Sequence, residues 1–402
     1  MNTNRQLSLP RKTLLGIQFL FVAFGATVLV PLLVGISPSI ALFTAGIGTL
    51  IFHLVTKGKV PVFLGSSFAF VAPIVEATRL FGYPGTLSGI IAVGLVYSIM
   101  SAIVKWRGPA LIDKVFPSVV VGPVIVVIGL SLASTGVDMA SQNWLLALIS
   151  VLTAIIVVVF AKGMLKLIPI FLGIIAGYLA SIFTGDVDFS RITDAPWFAL
   201  PAFQTPSFSW SAIIYMIPVA IAPLIEHIGD MYAIGAVSGK NYVKDPGLQR
   251  TMLGDGIATA VAGSMGSIPN TTYSEVTGAI SLTKVTDPVV LRISAITAVV
   301  FSVLGKVSGF LESIPGAVLG GIMLLLFGMI ASVGIKTLID SKTDINKTRN
   351  QVIISIILTV GIGGAVIQFG NFSLAGIGLA AVTGVLLNLI LPDKSKPVKM
   401  KK

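Results

Sequence analysis

Along most of this chain the polar positions are too sparse to give a helix a wet face. Nine stretches, residues 13–34, 38–56, 80–104, 115–137, 139–161, 167–185, 313–335, 350–372 and 374–392, carry no Asp, Glu, Lys or Arg. Each is long enough to cross a hydrocarbon core of about 30 Å, which takes about 20 helical residues. Five more segments are apolar but interrupted: 60–78 by Glu76, 211–233 by Glu226, His227 and Asp230, 246–266 by Asp255, 271–286 by Glu275, and 288–305 by Arg292. The pattern predicts an all-α polytopic membrane protein with fourteen transmembrane segments.

Two of the fourteen do not read as continuous helices. GKVPVFLGSSFAFVAP, residues 58–73, holds two prolines and two glycines, and its β-branched and aromatic run suits a short strand. SIPNTTYSEVTGAISLTK, residues 267–284, puts Pro269, Asn270, Thr272, Tyr273, Ser274 and Glu275 between membrane-grade apolar sequences. Two extended segments meeting at mid-depth would satisfy each other's backbone groups by pairing, and each would present the N-terminus of a half-helix to a ligand. The third and tenth spans are therefore expected to contain short extended strands.

The same two spans fall in equivalent halves. FPSVVVGPVIVVIGL at 116–130 and IPGAVLGGIMLLLFG at 314–328 share a proline and, five residues later, a glycine, at an offset of 198. With seven spans per half, the second half enters from the opposite side, which predicts a 7+7 inverted repeat of the kind that builds secondary transporters.

Composition agrees with the hydropathy pattern and narrows the chemistry. The chain is 55% hydrophobic and 11% charged, with a mean hydropathy of +0.98. It has no cysteine and two histidines, His53 and His227, so thiolate chemistry is excluded and no metal site or cofactor is expected. The net charge of +11 does not point to nucleic acid, because the basic residues sit in short loops between apolar spans. With the N-terminus inside, only Arg79, Arg191 and Lys306 lie outside, leaving 24 of 27 basic residues on the cytoplasmic side. Both termini are expected in the cytoplasm, with the basic C-terminal tail beside anionic membrane lipid. No small-residue cleavage site follows the N-terminus, so no removed signal peptide is expected.

The intramembrane acids are the candidate functional groups, since ionisable residues at membrane depth are costly. Glu275 lies beside the expected helix break. Glu226 and Asp230 are four apart and share a helix face; two such acids in a low dielectric do not both ionise easily, and one is expected to carry a proton. The bland alternative for Asp230 is a hydrogen bond to a neighbouring serine or threonine. Asp255, near Arg250, reads as structural and close to the cytoplasmic surface. His227 reads as a satisfied packing histidine on a different face from Glu226.

FGATVLVP at 24–31, GKVPVFLGSSFAF at 58–70, DPGLQR at 245–250, PNTTYSE at 269–275 and the E-x-x-G-x4-T-K spacing from Glu275 through Gly278 and Thr283 to Lys284 resemble the nucleobase-ascorbate transporter family, specifically its uracil permeases. The likeness runs through nearly the whole chain. It implies a core domain, spans one to four and eight to eleven, at 13–105 and 211–306, and a gate domain at 106–185 and 313–392. It implies Glu226 and Glu275 as side-chain ligands of the base, Phe68 and Ser274 as main-chain contacts, and Tyr273 beside them, with Ser67, Gln18, Asn270 and Thr272 supporting. Glu226 and Asp230 would couple proton movement.

Three positions depart from the family pattern: Asp230 stands where similar uracil permeases have histidine, Phe19 where a histidine follows the glutamine, and Phe327 where a gate tyrosine stands. The activity implied is secondary active import of uracil with a proton by a homodimer in the cell membrane, with no nucleic-acid partner. The alternative is a xanthine, urate or other purine carrier, with sodium as a possible coupling ion. Anion carriers fit poorly, because the candidate site has two acids and no nearby base. An intramembrane enzyme fits least, for want of any catalytic motif.

Overall fold

The computed structural model describes residues 8–108, 115–163, 165–369 and 372–392. Among these, six helical segments are long and apolar enough to cross a membrane, and five shorter apolar helices accompany them. The N-terminal half begins with α1 (Leu9–Leu33) and α2 (Pro38–Val55). Strand β1 (Leu64–Ser66) and a 3-10 turn at Phe68–Phe70 lead into α3 (Val71–Arg107), which breaks at Gly82, φ 72°. It continues through α4 (Ser118–Ser131), α5 (Ala133–Ser141), α6 (Trp144–Phe160) and α7 (Pro169–Thr184).

The second half starts with α8 (Trp210–Met216), joined by a 3-10 turn to α9 (Ile221–Ser238), then α10 (Leu248–Ser264). Strand β2 (Asn270–Thr272) runs into α11 (Ser274–Thr283), followed by α12 (Pro288–Ser302), α13 (Gly305–Glu312) and α14 (Gly316–Asp340). The chain ends with α15 (Thr348–Ile362), β3 (Val366–Phe369), β4 (Phe372–Ala375) and α16 (Gly376–Ile390).

Helix packing follows two groupings. In one, α10 lies against α3 and α2, α12 against α2 and α1, and α8 against α3. In the other, α14 lies against α4, α5 and α6, α6 against α7, and α15 against α16 and α4. Glycines set the closest approaches. A side chain at Gly94 would collide with the backbone of Gly256 on α10, and one at Gly334 with the backbone of Gly122 on α4. Small residues at such crossings are how apolar helices gain van der Waals contact without a hydrophobic driving force.

The strand pair expected in the third and tenth spans is present. β1 and β2 are antiparallel, with Leu64 opposite Thr272, Gly65 opposite Thr271 and Ser66 opposite Asn270. Ser67 N–H donates to the Pro269 carbonyl at 3.1 Å, extending the pairing. The outer edges are closed by threonines. Thr49 of α2 accepts from Leu64 N–H at 2.8 Å and donates to its carbonyl at 3.3 Å. Thr259 of α10 donates to the Asn270 carbonyl at 2.9 Å. Buried backbone groups left unpaired would each cost about 1–3 kcal/mol, so these threonines are what permits extended backbone here.

The penultimate apolar run departs from expectation. It was expected to be helical over 350–372, yet α15 stops at Ile362, and β3 pairs with β4 in an antiparallel hairpin from Val366↔Ala375 to Phe369↔Phe372. Gly363 and Gly364, the latter at φ 69°, end the helix, and VIQF and FSLA supply strand-forming residues. At about 1.5 Å per residue, the fifteen residues of α15 reach about 22 Å, short of a full hydrocarbon crossing.

At one end of the molecule, Lys12 and Asp287 form an ion pair at 2.7 Å, and Asp287 caps α12 by accepting from Val289 N–H at 2.9 Å. Partial burial pushes the Asp287 carboxyl up, but the Lys12 and Val289 hydrogen bonds and nearby positive charge outweigh it and hold the group below its ordinary value.

Candidate functional site

The strand crossing and the two short helices that leave it build one cavity. It is lined by Ala26 of α1, Ser66 to Ala69, Glu226 of α9, Thr271 to Tyr273, Glu275, and Ile125, Ile128 and Ile330. Its volume is about 60 Å³. That is room for a few waters.

Each polar group arrives by a definite route. Ser274 is the first residue of α11 and Glu275 the second, so the Glu275 carboxylate sits at the N-terminal turn, where backbone N–H groups have no intrahelical partner. On the other strand, the 3-10 turn from Phe68 puts a second helix start beside the cavity. Glu226 comes from the second turn of the segment that resumes helix at Ile221, and its side chain opens to the cavity along with that of Glu275. No Lys or Arg lines the cavity among the described residues. The arrangement places hydrogen-bond acceptors of two carboxylates against two sets of backbone donors.

Tyr273 holds the crossing together. Its hydroxyl donates to the Ser66 carbonyl at 2.8 Å and shares a hydrogen bond with Thr27 at 3.3 Å. Its ring covers Gly65 so closely that a Cβ there would fall 2.5 Å from the ring. Gly65 is thus required by packing rather than by an unusual dihedral. Phe68 reaches across to Phe327 of α14, edge to face, with ring centroids 6.1 Å apart.

Of the residues singled out in the sequence, Glu226, Glu275, Phe68, Tyr273, Ser67 and Thr272 meet at this cavity. The backbone of Ser274 opens α11 beside them. Asp230 stands one turn behind Glu226, buried, where its carboxylate accepts from Thr272 Oγ1 at 2.8 Å. The hydrogen bond to a threonine named as its bland alternative is therefore present. Asn270 faces away from the cavity and ties the strand to α2, donating to the Thr44 carbonyl at 2.9 Å. Gln18, half-buried on α1, is not among the lining residues.

Asp255 corrects an expectation. It is fully buried rather than near a surface, and its carboxylate meets His227 Nδ1 at 2.8 Å. The other ring nitrogen, His227 Nε2, lies 2.9 Å from Thr251 Oγ1. His227 is satisfied, as expected, but its partner was missed. The signal available was the four-residue spacing of Thr251 and Asp255 to one helix face, which nothing in the sequence ties to the helix carrying His227. The cavity's isoleucines were missed too, because apolar residues on a spanning helix do not announce which side they face.

Apolar helices crossing at glycines around a mid-chain polar cavity define a membrane permease. The chain belongs to the permease family whose model matches residues 11–369. It is 49% identical over 399 residues to a protein of Pasteurella multocida named "Probable uracil permease", covering 97% of this chain and 96% of that one. It is 45% identical to the uracil permease of Bacillus caldolyticus, covering 94% and 92%, and 39% identical to that of Escherichia coli K12, covering 94% and 90%. Among solved structures, the transmembrane domain of the cyanobacterial bicarbonate transporter BicA matches with a TM-score of 0.65 at 16% identity, covering 94% of this chain and 96% of that one. The murine anion transporter Slc26a9 in its inward-facing state matches with 0.70 at 10% identity, covering 96% and 68%. At those identities the likeness is one of fold.

Proposed function

We propose that this permease imports uracil across the cell membrane together with a proton. Its relatives at 39–49% identity carry the name uracil permease, which supports nucleobase transport. The observation that carries the reading is that Glu226 and Glu275 open to the same cavity as two helix starts. Uracil has two ring N–H donors and two carbonyl acceptors. Carboxylates facing the former and backbone N–H groups facing the latter would satisfy every polar atom of the base. Glu226, Glu275, Tyr273 and the main chain at Phe68 and Ser274 are the binding groups of this reading; Ser67, Thr272, Asn270 and Gln18 support them.

A fourteen-span, 7+7 inverted repeat is supported by the way packing pairs match under a shift of seven spans. The part of α3 after Gly82 on α10 is matched by α12 on α2, and α6 on α7 by α15 on α16. Pro117 and Pro315 both precede helix starts, and a side chain at Gly122 would meet Leu338 where one at Gly320 would meet Ala140. Leu338 and Ala140 differ by the same offset of 198 as the glycines. The two helix groupings support a division into a core (13–105 and 211–306) and a gate (106–185 and 313–392). Transport by motion between them, with Phe68 against Phe327 at their boundary, follows from the fold class. Both termini are assigned to the cytoplasm by the basic loops, and homodimerisation through the gate is carried over from family likeness.

Proton coupling is assigned to Glu226 and Asp230, with Thr272 linking the latter to the strand that lines the cavity. An inward potential supplies about 2.3 kcal/mol per charge per 100 mV, enough to concentrate a neutral base many-fold for each carried proton. The second reading, a xanthine, urate or other purine carrier driven by a proton or by sodium, is less favoured because the relatives at 39–49% identity are named for uracil. The deciding measurement is uptake of labelled uracil into proteoliposomes under an inward proton gradient, with a protonophore, sodium replacement and excess xanthine as separate arms. Concentrative uptake abolished by the protonophore and indifferent to xanthine and sodium is expected. Displacement by xanthine or dependence on sodium would move the assignment to the second reading.

A further inference from the structure

A second and larger cavity lies away from the one just described. Gly58 and Lys59 of the α2–β1 connection, Lys240, Asn241, Tyr242, Lys244 and Asp245 of the α9–α10 connection, and Pro288 line it. Its volume is about 620 Å³, within the range of about 300–1,000 Å³ typical of small-molecule sites. Its charge is unbalanced. Lys59 is matched by Asp245 at 2.5 Å. Lys240 and Lys244 form no ion pair with any described residue. A fourth cation stands behind the wall: the Arg292 guanidinium lies so near Gly58 that a Cβ there would fall 2.8 Å from its Nη2. Arg292 likewise forms no ion pair among the described residues, and its Nε is buried without a hydrogen-bond partner. Asp287, which also feels the Arg292 charge, is ion-paired with Lys12 at 2.7 Å.

We propose that this cleft is a binding site for a phosphate-bearing anion. Unpaired cations around a concavity repel one another and focus a positive potential into it, and an anion there relieves the repulsion. Lysines act as point charges suited to the many oxygens of a phosphate group, and Arg292 behind the wall adds to the positive potential. A neutral base gains nothing from such a site. The two connections that form the cleft continue into β1 and out of α9, so a bound phosphate bridges the elements that carry Ser66 and Glu226.

The test uses the full-length protein in a non-ionic detergent and in nanodiscs. Three probes are inorganic phosphate, a nucleoside monophosphate, and phosphatidylglycerol against a phosphatidylcholine background. Calorimetry reads the soluble probes, and native mass spectrometry counts retained lipid. Saturable binding of at least one probe is expected. Lys240→Gln/Lys244→Gln should weaken it about thirtyfold, since each surface lysine contributes about fivefold toward an anionic headgroup. Lys240→Arg/Lys244→Arg should retain it. Binding of a soluble probe identifies a free phosphate compound as the ligand, and retention of phosphatidylglycerol alone identifies a lipid headgroup. Absence of saturable binding by all three, or binding unchanged in the double glutamine variant, would overturn the proposal.

Discussion

Replacing Glu275 with glutamine removes a charge and one acceptor while leaving the shape of the side chain intact. In the wild type the carboxylate is the second residue of α11 and opens into the cavity. A hydrogen bond to a charged acceptor contributes about 1.5–3 kcal/mol, so losing one weakens binding of a ring N–H by about 10- to 150-fold. The amide also turns an NH₂ group toward donors, either the ligand's or those of the helix start. Glu275→Gln should therefore raise the uracil dissociation constant by about two orders of magnitude in calorimetric titration of the purified protein.

Folding supplies the control. An acid in the first turn of a helix is worth about 0.3–1 kcal/mol against the helix dipole, so the ligand-free variant should melt only slightly below the wild type. A folded Glu275→Gln protein that binds uracil within threefold of wild type would remove Glu275 from the binding site and with it the polar match on which the substrate assignment rests.

Asp230→Asn should leave uracil affinity within a few-fold, because Thr272 keeps an acceptor to donate to, yet reduce gradient-driven uptake in proteoliposomes by at least tenfold; parallel loss of both would place Asp230 among the ligands of the base. Gly65→Ala drives a methyl into the Tyr273 ring and should lower stability by about 1–3 kcal/mol, read as a fall in melting temperature together with weakened uracil binding; an unchanged melting point would mean that the strands separate freely. Asp287→Asn should be destabilising at neutral pH by less than about 1 kcal/mol, since the Lys12 pair is partly exposed and asparagine still caps a helix. Because the folded protein holds this carboxyl below its ordinary value of about 3.9, its contribution is complete above that value and fades as pH falls through the folded one. The two melting temperatures should therefore converge on acidification, and a gap that widens instead would contradict the assigned direction.

Much of the fold and part of the site were legible in the residues, for reasons that differ. Uncharged runs report helices that cross lipid because water-free surroundings leave a backbone few options. The strand crossing was legible because proline, glycine and β-branched residues interrupted two such runs, and threonines stood where β2 needed polar company. The β3–β4 hairpin was not, since VIQF and FSLA are as apolar as a helix would be and only the Gly363–Gly364 pair marks the change. Glu226 and Glu275 were legible as isolated charges in apolar sequence. That Asp255 would be paired with His227 was not, because a helix-to-helix contact leaves no trace in spacing along either helix.

The threonines also explain how a strand crossing survives at this depth without a wider sheet. A two-stranded antiparallel pair has two outer edges and no water to satisfy them. Here Thr49 occupies both backbone groups of Leu64, and Thr259 occupies the Asn270 carbonyl. Both come from helices whose spans are matched by the proposed repeat, α2 and α10. Tyr273 then donates to the Ser66 carbonyl, and Asp230 accepts from the Thr272 hydroxyl. The bonds at Ser66, Thr272 and Tyr273 lie directly before the two helix starts and before Glu275. A cavity assembled this way needs little rearrangement to meet a small planar ligand, and its alignment is as secure as the backbone pairing that supports it.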